Sequence, residues 1–199
     1  MKVTIFIFFV LASACFSVSG QAVRSATNDV AKPVILEKNE GELRVRRRPL
    51  GADNVALPVP TSEFMLKISP KNNGSQHLVM GTEQIPPGGR IRTHRHLEQD
   101  EILIIQTGEA HVHLGVREAD VHAGGTVFIP ANTKIGLQNT GAEPISLVFI
   151  FSAPGFEDYM RCTSVPAGTQ ATPVGIEEMR KCAQEGHVIY DDLESAKKQ

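Results

Sequence analysis

The stretch Gly88-Gly89-Arg90-Ile91-Arg92-Thr93-His94-Arg95-His96, Leu97-Glu98-Gln99-Asp100, Glu101-Ile102-Leu103-Ile104-Ile105-Gln106-Thr107-Gly108 carries the strongest structural and chemical signal in the chain. Side chains at i and i+2 of a strand share a face, so an extended segment projects His94 and His96 into one space. Glu101 lies an odd number of positions further on, and a continuous strand turns it away. The intervening Leu97-Glu98-Gln99-Asp100 is polar enough to turn, and a hairpin there returns Glu101 beside the histidines. Two imidazoles and one carboxylate on adjacent strands make a face that can hold a transition metal with open coordination positions.

Outward from this stretch, short apolar segments are broken every few residues by Gly, Pro and Asn, the pattern of an antiparallel all-β domain. The expected strands are 64–68, 77–83, 91–96, 101–106, 110–116, 126–129, 135–139 and 145–151, and eight of them suit a jelly-roll barrel. Turn chemistry falls between them, at Asn72-Asn73-Gly74, Pro86-Pro87-Gly88-Gly89, Gly124-Gly125 and Thr140-Gly141. Past Pro154 the composition shifts. Ile176, Met179 and Ala183 recur at helical spacing ahead of Gly186, which predicts one amphipathic helix packed on the barrel.

The chain has 199 residues, 41% of them hydrophobic and 21% charged, with 17 Gly and 12 Pro, as suits one soluble domain with many turns. Its net charge of −2 gives no field that would favour nucleic acid, so binding has to come from a local site for a small molecule. Lys2 followed by the apolar run 3–14 and mostly small residues reads as an export signal over 1–20. The run is too short to span a bilayer. Export to the periplasm or the extracellular space is the reading. The alternative is a cut after Ala14 that leaves Cys15 as a lipid anchor. In an oxidising compartment Cys162 and Cys182 can pair and staple the C-terminal extension; two free thiols in a cytosolic chain are the other reading. The expected organisation is a signal over 1–20, an extended arm over 21–60, the barrel over 61–153 and an extension with a helix over 154–199. The basic cluster Arg44, Arg46, Arg47, Arg48 in the arm reads as a solvated face, with contact to an anionic ligand or a neighbouring subunit as the alternative.

The pattern G-x5-H-x-H-x4-E-x6-G, met by Gly88, His94, His96, Glu101 and Gly108, resembles the first motif of the cupin superfamily. The second motif, G-x5-P-x-G-x2-H-x3-N, is met by Gly124, Pro130 and Asn139. Asn132 replaces its turn glycine, a mild change because Asn tolerates the left-handed conformation. Ile135 stands where the family's fourth metal ligand, a histidine, belongs. The resemblance implies a double-stranded β-helix holding one divalent transition metal, Fe, Mn or similar, through His94, His96 and Glu101, and it implies pairing as a homodimer. More narrowly, Ser75-Gln76-His77-Leu78, Pro130-Ala131-Asn132-Thr133 and Ser152-Ala153-Pro154-Gly155-Phe156-Glu157 are similar to segments of small exported bacterial cupins, a group without a settled activity; that likeness covers 34–162.

The remaining histidines take plainer roles. His111 and His113 share a face, but the interleaved Ala110, Val112 and Leu114 are the apolar set and take the core side, which puts the two histidines on the outer surface. His122 and His77 are candidates for the cavity mouth, and Glu98 and Asp100 belong to a solvated turn. Two functions compete. One is a metal-dependent dioxygenase-type oxidoreductase acting on a small oxygenated substrate. The other is a non-enzymatic module that binds a sugar or small metabolite beside a degenerate metal site, and Ile135 favours it.

Overall fold

A computed structural model describes residues 31–195. The signal segment and Cys15 lie outside the described residues. Twelve strands are named in chain order: β1 (Glu42–Arg46), β2 (Glu63–Ile68), β3 (Val79–Ile85), β4 (Arg90–His96), β5 (Glu101–Thr107), β6 (Glu109–Leu114), β7 (Arg117–His122), β8 (Thr126–Ile129), β9 (Ile135–Gln138), β10 (Ile145–Phe151), β11 (Ser164–Pro166) and β12 (Val188–Tyr190). Four helices accompany them: α1 (Pro70–Asn73), α2 (Phe156–Cys162), α3 (Ile176–Glu185) and α4 (Asp191–Ser195). None is long and apolar enough to cross a membrane.

The strands form two antiparallel sheets, β11-β1-β2-β3-β10-β5-β8 and β12-β4-β9-β6-β7. Consecutive strands alternate between the sheets at β3 to β4 and again at β4 to β5, which makes this a double-stranded β-helix of the jelly-roll kind. The core lies between the sheets and is built from alternate residues of each strand, among them Leu66, Ile85, Leu103, Ile105, Leu137 and Leu147. Each such side chain, once buried, contributes about 1.5–3 kcal/mol relative to exposure. Gly81 in β3 is required by close approach, because a Cβ there would lie 2.3 Å from the Met65 carbonyl oxygen and 2.4 Å from the Phe149 ring.

The eight expected strands are all present, 126–129 and 145–151 with the expected ends and the other six with shifted ones. Four others were not expected. β7 forms a hairpin with β6 through Gly115 (φ 61°) and lies at the sheet edge, mostly exposed, so its polar sequence gave no apolar alternation. β1, β11 and β12 are short strands contributed by the arm and the extension, so both segments join the sheets.

One expectation about the site is corrected. The 97–100 segment does not close a hairpin between paired strands, because β4 pairs with β9 and β12 while β5 pairs with β10 and β8 in the other sheet. The segment crosses between sheets. Asp100 is not simply a solvated turn residue either: its Oδ1 accepts from the Ala131 amide at 2.9 Å, its carbonyl accepts from the Ser152 amide at 3.0 Å, and its own amide donates to Ser152 Oγ at 3.0 Å. Glu98 is exposed and pairs with His187 Nδ1 at 3.0 Å.

The basic cluster is corrected as well. Arg44 donates to Ser164 Oγ at 2.7 Å and to the Arg161 carbonyl at 3.0 Å. Arg47 reaches the carbonyls of Thr172 and Pro173 at 2.8 and 2.9 Å and pairs with Glu178. Arg46 forms a two-pronged pair with Glu83. These guanidiniums fasten the arm to the extension and to the barrel, and Arg48 alone of the four is exposed.

The extension holds the predicted helix, α3, whose Met179, Cys182 and Ala183 are buried. A disulfide joins Cys162 at the end of α2 to Cys182 in α3, as suits an oxidising compartment. Gly186 caps α3 at a φ of −90°, outside the left-handed region. The glycine is needed for space, since a Cβ would lie 2.4 Å from that of Tyr159 on α2.

Candidate metal centre

β4 places His94 and His96 on its inward face, and β5 in the opposite sheet begins with Glu101; the three are 3%, 2% and 6% exposed. Their ligating atoms lie within 4.8 Å of one another. His94 Nε2 and His96 Nε2 are 3.1 Å apart, and His96 Nε2 and Glu101 Oε2 are also 3.1 Å apart. Two nitrogens sharing one metal at about 2.1 Å stand roughly 3.0–3.4 Å apart, so the spacing fits a shared ion.

The protonation pattern fits it too. His94 Nδ1–H donates to the Arg92 carbonyl at 2.7 Å, which fixes the tautomer and leaves a lone pair on Nε2. Burial, and then the adjacent His96, push the His94 imidazolium well below its ordinary range, so the ring is held in the neutral form a metal needs. His96 Nε2 thus stands 3.1 Å from both His94 Nε2 and Glu101 Oε2, three electron-pair donors converging on one point. A cation resolves that crowding. His96 Nδ1 is buried and has no hydrogen-bond partner among the described residues.

Ile135 on β9 is the register partner of His94 and is 1% exposed, so an apolar side chain occupies the inward position beside the histidine. Asn132 has the expected left-handed backbone, with φ at 63°, and its amide donates to the His96 carbonyl at 2.7 Å. Asn139 is structural: its side chain donates to the carbonyls of Ile85 and Glu143 at 2.9 Å each.

The extension supplies the cover that the barrel motifs do not specify. The Phe156 ring stacks on His94 with centroids 5.7 Å apart and meets His96 edge-on at 4.3 Å. Tyr190, the register partner of His94 on β12, stacks on it from 5.1 Å. A cavity of about 570 Å³ includes in its lining His94, Glu101, Arg46, Glu83, Tyr159 and Tyr190. Burial pushes the Tyr190 phenol well above its ordinary value, with Tyr159 adding to the shift, and so Tyr190 stays a neutral hydroxyl. Although burial opposes it, Glu83 holds the Arg46 guanidinium above its ordinary value, and Ser62 Oγ donates to the same carboxylate at 2.7 Å.

Arg46, Glu83, Phe156, Tyr159 and Tyr190 were missed as site residues. Glu83 carried a signal, because it shares strand parity with the core residues Val79 and Ile85. The others depend on how the arm and the extension fold back. His77 and His122 are exposed and do not line the cavity; His122 pairs instead with Glu109 at 3.0 Å.

Residues 81–151, which span the triad and most of the barrel, match the cupin domain family. That segment, and with it the barrel, is similar to the cupin superfamily. Solved structures similar to it include a protein of Thermus thermophilus, at 26% identity over 40% of this chain and 75% of that one, with a TM-score of 0.39. A predicted oxalate decarboxylase of Thermotoga maritima is 20% identical over 48% of this chain and 83% of that one, with a TM-score of 0.45. An RmlC-like cupin of Shewanella frigidimarina is 17% identical over 47% of this chain and 77% of that one, with a TM-score of 0.41. No curated protein matches the chain.

Proposed function

We propose that this chain is an exported cupin that holds one divalent transition metal through His94, His96 and Glu101 and binds a small oxygenated molecule beside it, acting as a dioxygenase-type oxidoreductase. The observation that carries this reading is the convergence of three donors around His96 Nε2, with the His94 tautomer fixed by the Arg92 carbonyl. Fe(II) or Mn(II) held there supplies redox chemistry and open coordination positions. The chain's own residues do the rest. Phe156 and Tyr190 shield the imidazoles from water, and Tyr190 presents a neutral hydroxyl to the cavity lining. The volume of about 570 Å³ lies in the range of small-molecule pockets, roughly 300–1,000 Å³. The Cys162–Cys182 disulfide supports export.

Metal analysis of the purified chain tests the reading, with about one equivalent of Fe or Mn expected and none in a His94→Ala/His96→Ala variant. Ile135→His, which sets an imidazole opposite His94, is expected to tighten binding about tenfold, a gain of roughly 1.4 kcal/mol. Equal metal content in the wild type and the double variant overturns the assignment. Oxygen uptake with phenolic or keto-acid substrates then separates turnover from binding alone. Ligand binding without chemistry is the second reading, favoured by the buried Ile135 where a fourth ligand would stand.

A further inference from the structure

A second group of metal-ligating side chains lies on the outer face of the β6–β7 hairpin, away from the cavity. The register pairs His111 with Asp120, His113 with Glu118 and Glu109 with His122, so three imidazoles and three carboxylates occupy one face as a ladder of cross-strand pairs. Within it, His111, His113 and Glu118 each offer a ligand atom, and those atoms lie within 4.8 Å of one another.

The orientation is what separates this group from a row of ordinary ion pairs. His111 Nδ1 lies 2.7 Å from Asp120 Oδ1; a carboxylate accepts, so Nδ1–H donates and Nε2 carries the free lone pair. That Nε2 faces Glu118 Oε2 at 3.9 Å, beyond hydrogen-bonding distance, while Glu118 Oε1 lies 3.0 Å from His113 Nδ1. The two imidazoles meet edge to face with centroids 4.9 Å apart. A carboxylate behind one imidazole, with the ring's other nitrogen directed at further ligands, is the outer-shell arrangement that orients histidines on metals. Solvent access completes the coordination, since His111 and His113 have side chains 30% and 43% exposed and Glu118 is 64% exposed.

We infer that His111, His113 and Glu118 form a surface site for a borderline transition cation of the zinc, nickel or copper kind, with Asp120 as the positioning residue for His111. Imidazole and carboxylate together suit these ions, whereas Mg²⁺ and Ca²⁺ prefer all-oxygen sites. The inference is independent of the inner triad.

Calorimetric titration of the full chain with zinc chloride tests it. His111→Ala/His113→Ala is expected to bind one zinc equivalent fewer than the wild type, whether the wild type starts from two or from one. The His94→Ala/His96→Ala variant is expected to keep the outer equivalent, which distinguishes failure of this site from failure of the inner one. Asp120→Asn is expected to weaken the outer equivalent about 10- to 100-fold without changing the stoichiometry. In NMR spectra the ring resonances of His111 and His113 are expected to shift with the first outer equivalent, a response that mere loss of an ion pair does not produce. Unchanged stoichiometry and affinity in the His111→Ala/His113→Ala variant overturn the assignment. Because these side chains are on the surface of an edge hairpin, the variant folds and the result stays readable.

Discussion

The chain carries the spacing His-x-His twice, and the two copies end in opposite environments. His94 and His96 are 3% and 2% exposed inside the barrel, whereas the side chains of His111 and His113 are 30% and 43% exposed on its outer face. The strand period places each pair on one face; the neighbours decide which face that is. Around His111 and His113, Ala110 and Val112 are the apolar set and take the core, so the histidines turn outward. In β4 the residues of opposite parity are Ile91, Thr93 and Arg95, too mixed to claim the interior, and the histidines turn inward under a cover of aromatic rings. Each pair has a carboxylate beside it and a fixed tautomer on one imidazole. Burial is the difference, and with it the protection of the inner donors from water.

The largest effect that separates the two pairs should come from Phe156, which is 5% exposed and packs on both inner histidines. Phe156→Ala is expected to cost about 3–5 kcal/mol in urea unfolding and, if a metal is held at His94, His96 and Glu101 as proposed, to speed its removal by a chelator. Zinc binding at His111 and His113 should be unaffected. A variant that lost both in parallel would break the comparison, because it would make the two pairs parts of one cooperative unit.

The disulfide comes next. Cys162 and Cys182 are 20 residues apart in sequence and join α2, which carries Phe156 and Tyr159, to α3. Cys162→Ala/Cys182→Ala is expected to lower stability by about 3 kcal/mol and to loosen the inner site through its cover. Chelator kinetics before and after mild reduction of the wild type check the same point. If the inner metal leaves no faster once the bridge is open, the cover is held by packing alone.

This difference also explains what could be read from the sequence. The first motif and the alternation of short apolar segments give the barrel, the convergence of His94, His96 and Glu101 and the outward placement of His111 and His113, because each rests on local periodicity. The crossing between β4 and β5 was not legible. A four-residue polar turn looks the same whether the next strand pairs with its neighbour or enters the facing sheet. The aromatic cover was not legible either, since Phe156 and Tyr190 reach His94 only after α2 and β12 fold back across the barrel. The arginines of the arm read as solvated for a similar reason. Their partners, Glu83, Thr172 and Glu178, are distant in sequence.

The smallest effect tests how the arm fastens that cover. Glu42 on β1 accepts from Arg161 of α2 at 2.8 Å and from Arg44 at 2.8 Å. Burial pushes its carboxyl up, but Arg161 and Arg44 outweigh that and hold it below its ordinary value near 4.5. The unfolded chain therefore takes up a proton at Glu42 before the folded chain does. The stabilisation is present above about pH 4.5 and is lost as the pH falls through the lowered folded value. Glu42 is partly exposed, so solvent screening keeps the pair to about 0.5 kcal/mol. Glu42→Gln should lower stability by about that much at neutral pH and by nothing once the pH lies below the folded value. Urea midpoints of the two proteins are therefore expected to converge on acidification; curves that stay parallel would mean that Glu42 acts through its shape and not its charge.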